Sequence, residues 1–362
     1  MRLVPLDQLN GSEVLGKAIY DAEGRRLLNS GVSLRPTIIQ RLYEKGISCV
    51  YINDEISEGI EIDSLLCEET KTQAKLIVRE EMHRLSKKRT MDCSRLSGVV
   101  DRILDEILSK KIGLINVKDI RMQDEQTFAH CVNVCVMSIA LASKLSLPVS
   151  KVKSIALGAL LHDIGKALLS PVLLHKTGNF TESEIEEIKK HPLIGYNLLK
   201  DHPDTPATTK VSVLMHHEHY NGNGYPMKLT GEKIHYSARI LTVCNEFDTI
   251  VNDQNNRKIL HTTDAVEYLI GASGHVFDKS IVDEFIKIIP IYSEGNIVLL
   301  SNGIIAIVVR NDPVYLTRPI VRALYNTKTR TKYSKIEIID LRTELSIKVL
   351  REIKTNINEI FN

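Results

Sequence analysis

Five histidines and one aspartate carry the chemistry open to this chain: His130, His162, Asp163, His191, His216 and His217. Imidazole nitrogens suit Fe, Mn, Ni or Zn, and an aspartate can bridge two ions. Two ions about 3.5–4 Å apart activate a water and hold both oxygens of an in-line displacement at phosphorus. Lys166 lies one turn beyond Asp163 and could offer its charge to a phosphate oxygen. Taken singly, each residue has a plainer reading: a satisfied core histidine, a capping aspartate, a surface lysine. Their number within one segment is what favours metal chemistry.

The elements that must position them can be read from periodicity. Val152, Ile155, Ala156, Ala159 and Leu160 recur at i, i+3, i+4, i+7 and i+8, the stripe of a buried helix face. One turn further, the stripe lands on His162 and Asp163. A carboxylate aimed at a core is costly unless a cation or hydrogen bonds meet it. His130 falls on a second inward stripe with Val134, Met137, Leu141 and Leu145. Thr181-Glu182-Ser183-Glu184 is a capping-box pattern. It starts a helix through Ile185 and Ile188 that delivers His191 just before Pro192. Val211, Leu214 and Met215 lead into His216-His217-Glu218, and Asn221-Gly222-Asn223-Gly224-Tyr225-Pro226 is a dense turn signal. A helix over residues 237–251 puts Asn245 and Asp248 one turn apart.

The rest of the chain bounds the answer. Its 362 residues suggest about two or three domains. The expected class is an α+β multidomain protein with an all-α bundle as its core. Residues 1–62 read as a β-rich N-terminal module: short strands around Asp21-Ala22-Glu23-Gly24, a helix over 36–45 ended by Gly46, and a strand over 49–52. Residues 63–120 read as a charged helical linker, 121–290 as the histidine-bearing bundle, and 291–362 as a β-rich C-terminal extension. That extension is expected to hold a hairpin around Ser301-Asn302-Gly303, a strand over 335–341 and a short closing helix.

A net charge of +2 and the absence of a long basic block argue against nucleic acid as the main partner. The run Arg84-Leu85-Ser86-Lys87-Lys88-Arg89 reads as a solvated helix face. No run of about 18 apolar residues is present, so no membrane span is expected. Met1-Arg2-Leu3-Val4-Pro5 lacks the apolar core of a signal peptide. The six cysteines form no CxxC pair, which favours a reduced, cytoplasmic protein, with Cys131 and Cys135 as apolar fillers.

In order along the chain, His130, His162-Asp163-Ile164-Gly165-Lys166, His191-Pro192, His216-His217-Glu218 and Gly224-Tyr225-Pro226 resemble the HD-GYP family of cyclic di-GMP phosphodiesterases, over residues 124–290. The flanking modules also resemble ones common in that family. The resemblance implies an HD-type helical bundle around two divalent metal ions, iron or manganese. His130, His162 and Asp163 would serve one ion, with Asn245 at the position that completes its ligands. Asp163 would bridge to a second ion held by His191, His216 and His217. A metal-activated water would attack cyclic di-GMP, giving pGpG or GMP. Asp163 and Lys166 would act in catalysis, while Lys166, Tyr225 and Arg257 would contact substrate. The GYP loop would also offer a contact for protein partners, and a homodimer is open to the chain. This sequence departs from the pattern at Asn245 and Asn221, where the family has aspartate, at Gln254, where it often has arginine, and at Gln126, where a third metal would need glutamate. The alternative these departures raise is a cyclic di-GMP-binding sensor or adaptor with weak or lost hydrolysis.

Overall fold

The computed structural model describes the chain except for residues 22–24, 63–64, 89, 111–113, 115–125, 175, 177, 253–261 and 354–362. The chain divides into two compact units, one formed by residues 1–68 with 289–362, the other by residues 69–112 with 125–288.

In the first unit, β1 (Arg2–Pro5), β2 (Val14–Leu15), β3 (Ile19–Tyr20), β4 (Arg26–Leu28), α1 (Pro36–Glu44) and β5 (Cys49–Asn53) follow in order. The antiparallel order β1-β5-β2 buries Val4, Leu15, Val50 and Ile52 beside Leu42 of α1. The same unit holds β6 (Ile297–Leu300), β7 (Ile304–Arg310), β8 (Ile320–Asn326), β9 (Thr331–Lys332), β10 (Ile338–Asp340) and β11 (Val349–Glu352). Their sheet runs β10-β8-β7-β6-β11, with β9 on β8. The expected hairpin is β6-β7, turned at Gly303 with φ +90°. Ile60 shares a hydrophobic cluster with Ile297, Ile305 and Ile307. The two ends of the chain, read from sequence as separate modules, therefore pack as one unit. β11 was not anticipated, and the closing helix falls on residues outside those described.

Among the described residues the long elements of the second unit are helices: α2 (Glu68–Lys88), α3 (Cys93–Ser109), α4 (Gln126–Lys144), α5 (Val149–Leu161), a 3₁₀ segment (Ile164–Leu168), α6 (Pro171–Leu174), α7 (Glu182–Ile188), α8 (His191–Leu199), α9 (Ala207–Met215), α10 (Tyr236–Asn252), α11 (Thr262–Gly271) and α12 (Lys279–Phe285). Of the segment 63–120, read as a helical linker, residues 69–110 belong to this bundle. Asp92 caps α3 by accepting from the amides of Ser94 and Arg95, and Leu96, Val100, Ile103 and Ile107 are buried where α3 packs on α5 and α4. A stripe that wide needs a partner surface, which a solvated linker would lack. α4 is apolar around most of its circumference because α5 and α10 pack against it. Its stretch Thr127–Lys144 is long and apolar enough to cross a membrane, yet 72% of it is buried inside the bundle.

One close approach holds the bundle in the form the histidines need. Gly165 lies against the start of α8, where a Cβ would sit 2.0 Å from the His191 carbonyl oxygen. No other residue type fits unless the two elements part. Gly165→Ala should therefore cost at least about 3 kcal/mol, the upper end of overpacking effects. Gly98→Ala, on α3 with open space around it, should be neutral or stabilising by up to about 1 kcal/mol. Urea denaturation followed by circular dichroism compares the two; equal effects would refute the tight contact at Gly165.

Candidate metal centre

Helix ends bring the site together. His162 is the C-cap residue of α5 and His216 that of α9, while His191 follows α7 and opens α8. Each donates Nδ1–H to the carbonyl three residues before it: His162 to Ala159 at 2.8 Å, His191 to Ile188 at 2.7 Å and His216 to Val213 at 2.8 Å. These are carbonyls that a helix C-terminus leaves without an intrahelical partner. A carbonyl can only accept, so Nδ1 carries the proton and the neutral ring's other nitrogen, Nε2, presents a lone pair.

Those lone pairs converge. Nε2 of His191 lies 3.2 Å from Nε2 of His216, and Nε2 of His162 lies 3.2 Å from Nε2 of His130. His130 is oriented from α10: its Nδ1 is 2.7 Å from Asp248 Oδ2 and its Nε2 is 2.9 Å from Asn245 Oδ1. Thr242, also on α10, donates to the His216 carbonyl at 3.0 Å. Two groups result, His130 with His162 and Asp163, and His191 with His216 and His217, the ligand atoms of each group lying within 4.8 Å of one another.

Asp163 lies between the groups and is 2% exposed. Its Oδ2 is 3.4 Å from His162 Nε2 and 4.0 Å from His130 Nε2, and it accepts from Lys166 Nζ at 2.7 Å. Its Oδ1 is 3.3 Å from His191 Nε2 and, although buried, accepts no hydrogen bond. Inward lone pairs and an unsatisfied carboxylate oxygen are an electron-rich cradle, which is what a divalent cation requires. The residues present fit a metal.

The electrostatics agree. Burial opposes ionisation of Asp163, but Lys166 and His162 outweigh it and hold the carboxyl well below its usual range. Burial likewise opposes a charge on His162, yet the Asp163 carboxylate raises its pKa to about 9. Burial and the neighbouring histidines push His216 and His217 well below the ordinary imidazole value.

The structure brings together His130, His162, Asp163, Lys166, His191, His216, His217 and Asn245. Tyr225 joins them by stacking on His217 at 4.7 Å. Asn221 is half-buried and bridges to Thr230, its side chain accepting from the Asn223 amide and lying 3.2 Å from His275. Arg257 and Gln254 lie outside the described residues. Sequence reasoning missed the roles of Thr242 and Glu218. No pattern marks Thr242, whereas Glu218 could have been suspected because it continues the paired histidines into a dense turn.

An HD domain model matches residues 106–281, and a model described as a KOW domain associated with HD domain matches 297–359. The chain is 30% identical over 286 residues to the Pseudomonas aeruginosa protein named cyclic di-GMP phosphodiesterase PA4108, covering 79% of this chain and 68% of that one. The chain belongs to the HD-GYP family of HD domain proteins. It is also 33% identical over 169 residues to the Xanthomonas campestris protein named cyclic di-GMP phosphodiesterase response regulator RpfG, covering 46% of this chain and 45% of that one. The HD-GYP chain thus spans about two thirds of the first relative's length and less than half of the second's. Its fold is similar to that of Bd1817, described as an HDG"Y"P protein from Bdellovibrio bacteriovorus, with a TM-score of 0.52 at 18% identity, covering 78% of this chain and 97% of that one.

A proton and a cation compete at His162. The Asp163 carboxylate favours a proton on the metal-free His162 ring, whereas a metal takes only the neutral ring. Binding a divalent ion at pH 7 should expel a proton, and affinity should rise with pH until about 9. Calorimetric titration with Mn²⁺ in two buffers of different ionisation enthalpy checks this; identical heats would contradict it.

Proposed function

We propose that this chain is a metal-dependent phosphodiesterase that hydrolyses cyclic di-GMP to pGpG or GMP. The observation that carries the reading is Asp163, with one carboxylate oxygen facing each histidine group. The names of the relatives supply the substrate class. In this reading His130, His162 and Asp163 would hold one divalent ion, and His191, His216 and His217, with Asp163 beside them, would hold a second. Iron or manganese suits this nitrogen and carboxylate set. Bound ions supply Lewis acidity and bring the pKa of water towards neutrality.

The protein's own groups do the rest. Asp163, kept ionised by Lys166, contributes the negative charge that the five imidazoles lack. Lys166 is pinned to Asp163 at 2.7 Å and its side chain is 30% exposed, so its ammonium can meet a phosphate oxygen arriving from solvent. Tyr225 forms one wall for the nucleotide, and Arg257, on resemblance alone, adds a second positive charge. Close packing of the histidine rings fixes their directions before substrate arrives, which lowers the reorganisation needed during reaction.

Asn245 supports a second reading. Its amide oxygen stands 2.9 Å from His130 Nε2 but brings no charge. The ion beside His130 is then held more weakly, and a cyclic di-GMP sensor with slow turnover becomes the runner-up.

An anaerobic hydrolysis assay with Fe²⁺ or Mn²⁺, with products separated by chromatography, decides between them. The enzyme reading expects turnover by the wild type, its loss together with bound metal in His162→Ala, and a roughly tenfold gain in Asn245→Asp at limiting metal. Tight nucleotide binding without turnover would favour the sensor; full activity of His162→Ala would refute the site.

A further inference from the structure

Glu218 is a buried carboxylate, 1% exposed, for which the proposed reaction has no use. It directly follows His217. One of its oxygens accepts from the Met227 amide at 2.6 Å and the other from the Leu229 amide at 2.8 Å. Between those amides Lys228 has φ +54°, a left-handed conformation that residues with side chains disfavour. Amides flanking such a residue form a concavity suited to an anion. Glu218 is an anion built into the chain at that place.

The other end of the same loop is tied to His217. The Tyr225 amide donates to the His217 carbonyl at 3.0 Å. Gly224 permits that approach: a Cβ there would lie 2.5 Å from the His217 carbonyl oxygen and 2.2 Å from the His219 amide nitrogen. The Tyr225 ring then stacks on the His217 ring, with centroids 4.7 Å apart and planes 18° apart.

His217 is the one histidine of the site that needs this. His130, His162, His191 and His216 each have Nδ1 held by a carboxylate or carbonyl oxygen. Among the described residues no hydrogen bond restrains the His217 ring. We infer that Tyr225 is a positioning residue that orients His217 by ring stacking, and that Glu218 anchors the loop that keeps Tyr225 in place. The inference rests on the metal reading of the site and adds the device that sets its fifth imidazole.

Cobalt(II) is the probe, because its visible absorption reports nitrogen ligation without substrate. The full chain is titrated anaerobically against a chromophoric chelator. Tyr225→Phe keeps the ring and should bind as the wild type does. Tyr225→Ala and Glu218→Ala should each weaken one ion by about 10–100-fold, the range for residues that orient a ligand. The double variant should be no weaker than the worse single variant, because both act through one contact. If Glu218→Ala fails to fold, Glu218→Gln, which leaves only one acceptor oxygen, should give a smaller loss in the same ion. Wild-type affinity in Tyr225→Ala, a Tyr225→Phe as weak as Tyr225→Ala, or losses that multiply in the double variant would overturn the inference alone. Absence of cobalt uptake by the wild type would overturn the metal reading and this inference with it.

Discussion

Asp163 is a carboxylate enclosed by imidazoles whose lone pairs point inward, and that concentration of electron density governs the helical unit around it. Lys166 satisfies one oxygen at 2.7 Å, while the other accepts no hydrogen bond. A buried polar group in that state costs roughly 1–3 kcal/mol, and more when charged. Cations close such a site, whereas further lone pairs do not. Much of the surrounding architecture serves to deliver donors to this point: helices that stop at His162 and His216, a 3₁₀ segment that turns Asp163 inward, and the Gly165 contact that seats His191 beside it.

The device that aims the rings is economical. A helix C-terminus leaves carbonyls without partners, and an imidazole Nδ1–H three residues later satisfies one of them. The same bond fixes the tautomer and turns Nε2 away from the helix, towards the centre. Repeating it at His162, His191 and His216 gives three preset ligands from three helix ends. Preset ligands lose little freedom on binding a metal, which favours affinity. His130 uses Asp248 to the same end, and His217 uses an aromatic face. The weak point is Asn245, neutral where the pattern of the family places a charge.

The histidine cluster was legible in the sequence for definite reasons. Helical periodicity carried His130 and His162 to inward faces, and the capping box at Thr181, present as expected, located the helix that ends before His191. Periodicity says nothing about which ring nitrogen faces the centre, because that depends on carbonyls left free where a helix stops. The clamp by Glu218 was hidden because its partners are backbone amides, which carry no residue identity. The joining of the two chain ends through Ile60 and Ile297 was hidden for a different reason: long-range packing leaves no local pattern. β11 escaped because it lacks the alternation of a half-buried strand, with Val349 and Glu352 half-buried and Leu350 and Arg351 exposed.

The central claim is that the groups joined by Asp163 form one centre for two ions. X-ray absorption at the iron edge of the anaerobically loaded protein tests it most directly. The account predicts two equivalents of iron with pronounced imidazole scattering and an iron–iron vector of about 3.5–4 Å. Iron surrounded only by oxygen scatterers, with no imidazole contribution and no second metal, would contradict it.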